Sequence, residues 1–165
     1  MAEQTRQTIV WPLIFSYRGN VFGHRYIAAV SSVSRVLGIR EDDGIWLSGV
    51  QPGGIAAGGS DVWEACAAYR KAFVGVLADI ASSVGDFREF QAEAARLLAE
   101  RDDAAFDDWT VAVEGIRTSR LDWRQMQQLP VKPAAMTPSL AVTLKSELTA
   151  ADNLIDDAPE LATAA

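Results

Sequence analysis

Short apolar runs alternate with glycine-containing turns over the first sixty or so residues. These runs are rich in aromatic and β-branched side chains, which are typical of β-strands; they cover residues 9–17, 21–32, 45–50 and 55–57. The Gly19-Asn20 turn between the first two runs predicts a β-hairpin. Pro12 favours an edge position for the first strand, because proline cannot donate a ladder hydrogen bond. The pattern therefore predicts three strands and a short fourth.

The spacing of apolar residues becomes helical after residue 60. Asp61 and, three residues later, Glu64 form a capping-box pattern, and Gly85 marks the end of the helix. The predicted apolar face comprises Val62, Cys66, Tyr69, Phe73, Val76, Ile80 and Val84. Further helices are predicted to start at Asp86 and near Asp102, and their short connections predict that the helices pack as antiparallel neighbours.

Prolines interrupt the chain after these helices. Pro130, Pro133 and Pro138 predict a linker near residues 129–138. Leu140, Leu144 and Leu148 stand at helical spacing, so we expect one helix there, followed by an acidic, alanine-rich tail.

These elements predict an α+β protein. We expect a small antiparallel sheet of three to four strands covered by a helix over residues 1–84. A helical extension over residues 85–128 would pack on this core. Residues 129–165 would form the proline-containing linker and an acidic, partly helical tail.

Composition and charge narrow the class of protein. A chain of 165 residues has room for about one hydrophobic core. It has no apolar run long enough for a membrane span, a polar N-terminus and a single cysteine, from which we expect a cytoplasmic protein. The net charge of −7 and the scattered arginines argue against a nucleic-acid backbone as partner and favour a basic protein.

The residues that could carry chemistry are few. His24 is the only histidine and Cys66 falls on an apolar helix face, so we expect no catalytic residue, metal site or cofactor. Adjacent acid pairs such as Asp102-Asp103 point apart and suit helix starts. A small metal-dependent nuclease with a ribonuclease H-like core, using such carboxylates, remains the alternative.

The segment Gly58-Gly59-Ser60-Asp61-Val62-Trp63-Glu64-Ala65, followed by Ala68-Tyr69-Arg70-Lys71-Ala72, resembles the HicB-like antitoxins. The upstream Asp43-Gly44-Ile45-Trp46 and Gly49-Val50-Gln51-Pro52-Gly53 are similar to that family's turn and third strand, and the resemblance covers roughly residues 8–84. It implies a partial ribonuclease H-like fold and a non-catalytic antitoxin of a type II toxin–antitoxin system. The implied partner is a small basic toxin that cleaves mRNA. The basic DNA-binding module common in the family has no counterpart here, which argues against DNA binding.

Partner-binding residues are expected at two places. Trp63, one position off the apolar helix face, either packs under a later helix or anchors an interface. The C-terminal arm would contribute Leu140, Leu144, Leu148, Asp152, Asp156 and Asp157; the alternative is a solvated terminus without a specific role. Open sheet edges predict a homodimer, and a scaffold that assembles through the same edges is a third interpretation.

Overall fold

The computed structural model describes residues 8–122 and 137–147. Within this part of the chain it is an α+β protein with an antiparallel sheet of five strands and with three helices. The elements in order are β1 (Ile9–Phe22), β2 (Tyr26–Glu41), β3 (Gly44–Gln51), β4 (Gly53–Gly59), α1 (Val62–Ser83), α2 (Phe87–Ala99), α3 (Asp103–Arg117) and β5 (Ser139–Glu147).

The long strand β2 organises the sheet. One of its edges pairs with β1 along nearly its whole length, from Ile27 opposite Phe22 to Arg40 opposite Ile9. Its other edge is shared, because the first half pairs with β5 and the second half with β3. The strand order is β1-β2-β3-β4, and β5 lies beside β2 on the same side as β3.

The first hairpin turns later than predicted. β1 continues through Gly19 and Asn20, and the turn falls at residues 23–25. The alternation of buried positions carries on past Gly19, with both Tyr17 and Val21 buried. A side chain at position 19 would overlap the Tyr17 ring, so glycine serves close packing here instead of a turn.

The helix α1 begins where the sequence predicts. The Glu64 amide donates to Asp61 Oδ1 at 2.8 Å, which makes Asp61 the N-cap. The buried residues of α1 itself are Val62, Ala65, Tyr69, Phe73, Leu77 and Ala81. The buried face is therefore rotated slightly from the predicted apolar face. Phe15 of β1 meets the rings of Tyr69 and Phe73 edge-on at 5.1 and 5.3 Å, and these aromatic contacts form the centre of the main core.

The short connections predicted that the three helices would pack as antiparallel neighbours. This prediction is wrong for α3. α1 and α2 pack on one face of the sheet, whereas α3 packs on the other. Trp109 of α3 is buried with Leu37 and Val50 in a second cluster, and its indole Nε1 donates to Leu13 O at 3.5 Å. α3 crosses over because the alternate positions of β1 and β2 offer apolar side chains to both faces.

The connector between α2 and α3 is fixed to the β3–β4 turn. Gly53 N donates to Glu100 O at 2.9 Å, and Asp102 N donates to Val50 O at 3.0 Å. These two backbone bonds hold the point at which the chain crosses the end of the sheet, and they set where α3 begins.

The C-terminal segment predicted as a helix is the strand β5, so the sheet has one strand more than the three to four expected. Leu140, Val142 and Leu144 alternate along it and lie on the α1–α2 face, opposite Ser32, Val30 and Ala28. Gln91 Nε2 of α2 donates to Val142 O at 3.0 Å. The first half of β2 has an edge that β3 does not reach, and pairing with that edge outweighs the helical spacing of the leucines.

Candidate protein-binding surface

A groove runs beside α3 on the face of the sheet opposite α1; we call it the α3-side groove. It has a volume of ≈ 760 Å³. It is lined by Thr8, Val10, Ile39, Asp108, Val111, Ala112, Glu114, Gly115, Arg120 and Leu121. Val111 is 72% exposed although it is an aliphatic residue in the middle of a helix. The lining is mostly apolar, which is typical of a surface that a partner covers.

Trp46 of β3 extends the floor of the groove. It pairs with Ile39, which pairs with Val10, so the three side chains form one row across adjacent strands on the α3 face. Trp46 is 45% exposed, and its ring lies over Gly58 of β4, where a side chain would meet the indole at 2.9 Å. Glycine at 58 therefore allows the indole to lie flat along the sheet.

Acidic side chains border this apolar floor. Asp108 and Glu114 line the groove, and Asp107 precedes them on α3. Within residues 8–122 and 137–147, Asp108 makes no ion pair, and Glu114 has only a long contact of 3.7 Å to Arg117. Arg120 is the cation in the lining, and its Nε donates to Thr118 Oγ1. The groove combines exposed apolar surface with acids whose charge is available to a partner.

Several arginines stack on aromatic rings of the fold. The Arg40 guanidinium lies 5.3 Å from the Trp11 ring centroid and that of Arg70 lies 5.4 Å from Tyr17. Arg35 and Arg101 both lie over Phe106, at 5.2 and 4.4 Å. Burial, and then the charge of Arg101, lower the pKa of Arg35. These cations are distributed over both faces and do not form a continuous basic stripe.

Trp63 projects from the first turn of α1 and is 56% exposed. A side chain this exposed does not pack under α2 or α3, the two later helices that the structure describes. Its neighbour Glu64 faces back to Ser60 and closes the cap. Trp63 stands where β4 ends and α1 begins, so it flanks the short edge strand.

The predicted arm residues have different environments. Leu140 packs against the main core, and Leu144 on the same strand is 41% exposed. Leu148, Asp152, Asp156 and Asp157 lie outside the described residues. Sequence reasoning missed Val111, although a valine two positions after Trp109 on the polar side of the helix was a visible signal.

The groups considered for chemistry are placed apart. His24 is exposed in the β1–β2 turn. Cys66 of α1 is half-buried against the main core, and burial raises the pKa of its thiol. Among residues 8–122 and 137–147, no three His, Cys, Asp or Glu side chains come together as metal ligands. None of the helices in this part of the chain has the length and apolarity to cross a membrane.

Comparison of this chain with protein-family models, curated proteins and solved structures finds no match.

Proposed function

We propose that this protein is a HicB-like antitoxin that neutralises a small, basic, mRNA-cleaving toxin by direct binding. The observation that carries the proposal is the junction between β4 and α1. The strand ends at Gly58 and Gly59, and the chain enters a helix capped by Asp61 with Glu64 bonded back to Ser60. A strand that ends in glycines and leads into a capped helix supports the proposal, because the segment resembles the HicB-like antitoxins, in which a strand and a glycine-containing loop precede a capped helix.

The charge of the chain supports a basic partner. With a net charge of −7, the protein attracts a cationic surface and speeds its association. Inhibition would be steric, because an antitoxin seated on the toxin's RNA-binding surface excludes the substrate. The outer edges of β1 and β4 pair with no other strand among the described residues, which supports homodimerisation through an edge.

The test begins with the tagged full-length protein expressed in its source cells and purified at moderate salt. We expect a stoichiometric small basic protein that arrests growth and cleaves mRNA when expressed alone. Co-expression of this chain should restore growth. A preparation without a partner, or a partner that is harmless alone, would contradict the antitoxin function.

The alternative is a metal-dependent nuclease, and the same preparation tests it. Nuclease activity that depends on Mg²⁺ or Mn²⁺, accompanied by a rise in the unfolding midpoint on adding the metal, would favour the enzyme. An antitoxin shows neither effect.

A further inference from the structure

We propose that the α3-side groove is the docking surface for a cationic amphipathic helix of the partner. The inference rests on the proposed function, because that function supplies a basic partner. It adds which face of this chain is covered and what kind of segment covers it.

The first argument is the fit of apolar surface. Trp46, Ile39 and Val10 form a row across three adjacent strands. Neighbouring strands lie about 4.8 Å apart, so the row spans about 10 Å, which is the width of a helix with its side chains. Val111 rises at the side of this row and is 72% exposed, so it offers a wall against which apolar side chains of the partner helix can pack.

The second argument is charge. Asp108 and Glu114 line the same groove as the apolar floor, and Asp107 lies beside them on α3. Glu41 and Asp43 stand at the β2–β3 turn, close in sequence to Ile39 and Trp46. A helix with leucines on one face and lysines or arginines flanking it would bury the former and pair the latter with these acids. A neutral or acidic helix would leave the acids facing an apolar or like-charged surface.

The exposed residues also differ from those of the opposite face. Under α1 the apolar row continues into the main core, where Leu47, Tyr69 and Phe73 are buried. Beside α3, Val10 and Ile39 pack against the Leu37–Val50 cluster but stay only partly buried, and Trp46 is 45% exposed. The groove is thus a strip of apolar sheet that α3 covers only in part.

The test uses the uniformly ¹⁵N-labelled full-length protein and a synthetic helix-forming peptide of about 14 residues, with leucines at helical spacing and lysines elsewhere. We expect amide shifts to cluster at Ile39, Asp108 and Val111 and at the Trp46 indole. A peptide of the same composition with scrambled spacing should not produce this cluster. Shifts spread evenly over the acidic surface, or centred elsewhere, would overturn the proposal.

Two variants separate the apolar and the charged contributions. Val111→Lys should lower the affinity for the peptide about tenfold or more. The control Val74→Lys, at an exposed position of α1, should leave the affinity unchanged. The double variant Asp108→Asn, Glu114→Gln should weaken binding about threefold to tenfold and flatten its salt dependence. The matched control is Asp79→Asn, Glu93→Gln on α1 and α2. Equal effects of test and control variants would overturn the proposal.

Other occupants give distinguishable outcomes in the peptide-free protein. If Val111→Lys shifts the amides of residues 2–7, the chain's own N-terminal segment fills the groove; if it turns a dimer into a monomer, a second copy does. Either result overturns the proposal. A toxin that still binds the Val111→Lys protein would refute the groove and leave the antitoxin function standing, whereas peptide binding in the groove without any toxin partner would do the reverse.

Discussion

Glu64 accepts two hydrogen bonds from a single residue, Ser60, one from the amide nitrogen at 2.8 Å and one from the hydroxyl at 2.6 Å. The Ser60 hydroxyl and amide lower the pKa of Glu64, in that order of effect. The folded state therefore favours the charged carboxylate and gains stability from it wherever the unfolded chain is also ionised.

A pH dependence follows from this lowered pKa. The stabilisation is fully present above the ordinary carboxyl value of 4.5 and is lost as the pH falls from there through the lowered folded pKa. We expect Glu64→Gln to be less stable than the native protein at neutral pH and to match it at strongly acidic pH. Urea unfolding across this range measures the gap, with Asp79→Asn in the same helix as the control for loss of charge. A gap that does not narrow on acidification would contradict the contact.

Truncation distinguishes the strand β5 from the residues that follow it. A chain ending at residue 137 loses the strand that buries Val142 and packs Leu140, so we expect it to lose about 3 kcal/mol or more of unfolding free energy. A chain ending at residue 147 keeps the strand and should unfold at nearly the native midpoint. Equal stability of the two chains would mean that β5 contributes little to the fold. A test of whether the residues after β5 bind a partner should therefore compare the full-length protein with the chain ending at residue 147, which keeps the strand.

Two glycines should respond to alanine in opposite directions. A side chain at Gly49 would overlap the Pro52 carbonyl oxygen and approach Tyr69 Oη to 3.0 Å, so Gly49→Ala should cost about 2 kcal/mol or more. Gly75 lies within α1 with nothing within 4 Å of the added carbon, so Gly75→Ala should gain about 1 kcal/mol. Thermal and urea unfolding of the pair test the packing at the β3–β4 turn.

The Tyr69 hydroxyl is buried and has no hydrogen-bond partner among the described residues, and burial raises its pKa. We expect Tyr69→Phe to change the unfolding free energy by less than about 1 kcal/mol, because the ring and its contacts with Phe15 remain. Tyr69→Ala removes the ring from the core and should cost about 3–5 kcal/mol. A large loss in the phenylalanine variant would reveal a bond to the hydroxyl.

Trp63 tests the interface directly. More than half of the Trp63 surface is exposed, so Trp63→Ala should leave the melting temperature nearly unchanged. Under the proposed function, the same substitution should lower the affinity for the toxin about tenfold or more. Phe22→Ala, at the far end of the sheet and 68% exposed, is the control and should bind normally. Binding by calorimetry and melting by circular dichroism separate the two effects. Normal toxin affinity in the Trp63 variant would remove this residue from the interface.

Local chemistry made much of the helical part predictable. The side chains of Asp61, Asp86 and Asp102 each accept a hydrogen bond from the backbone amide three residues later in the chain. Each helix begins directly after its cap. Such bonds close within one turn, so they depend on neighbours in sequence alone. The candidate groove was less accessible to sequence reasoning, because the exposure of Val111 depends on where α3 settles on the sheet.

The sequence by itself determined the α+β class, the four N-terminal strand segments and the three helix starts, since these rest on residue type and short-range spacing. Tertiary structure decided the rest. The segment around Leu140 and Leu144 fits both a helical period and, through Val142, a strand period, and only the unpaired edge of β2 selects the strand. The same physics moved the first turn to residues 23–25 and sent α3 to the opposite face, because backbone pairing and burial are satisfied across the whole sheet at once.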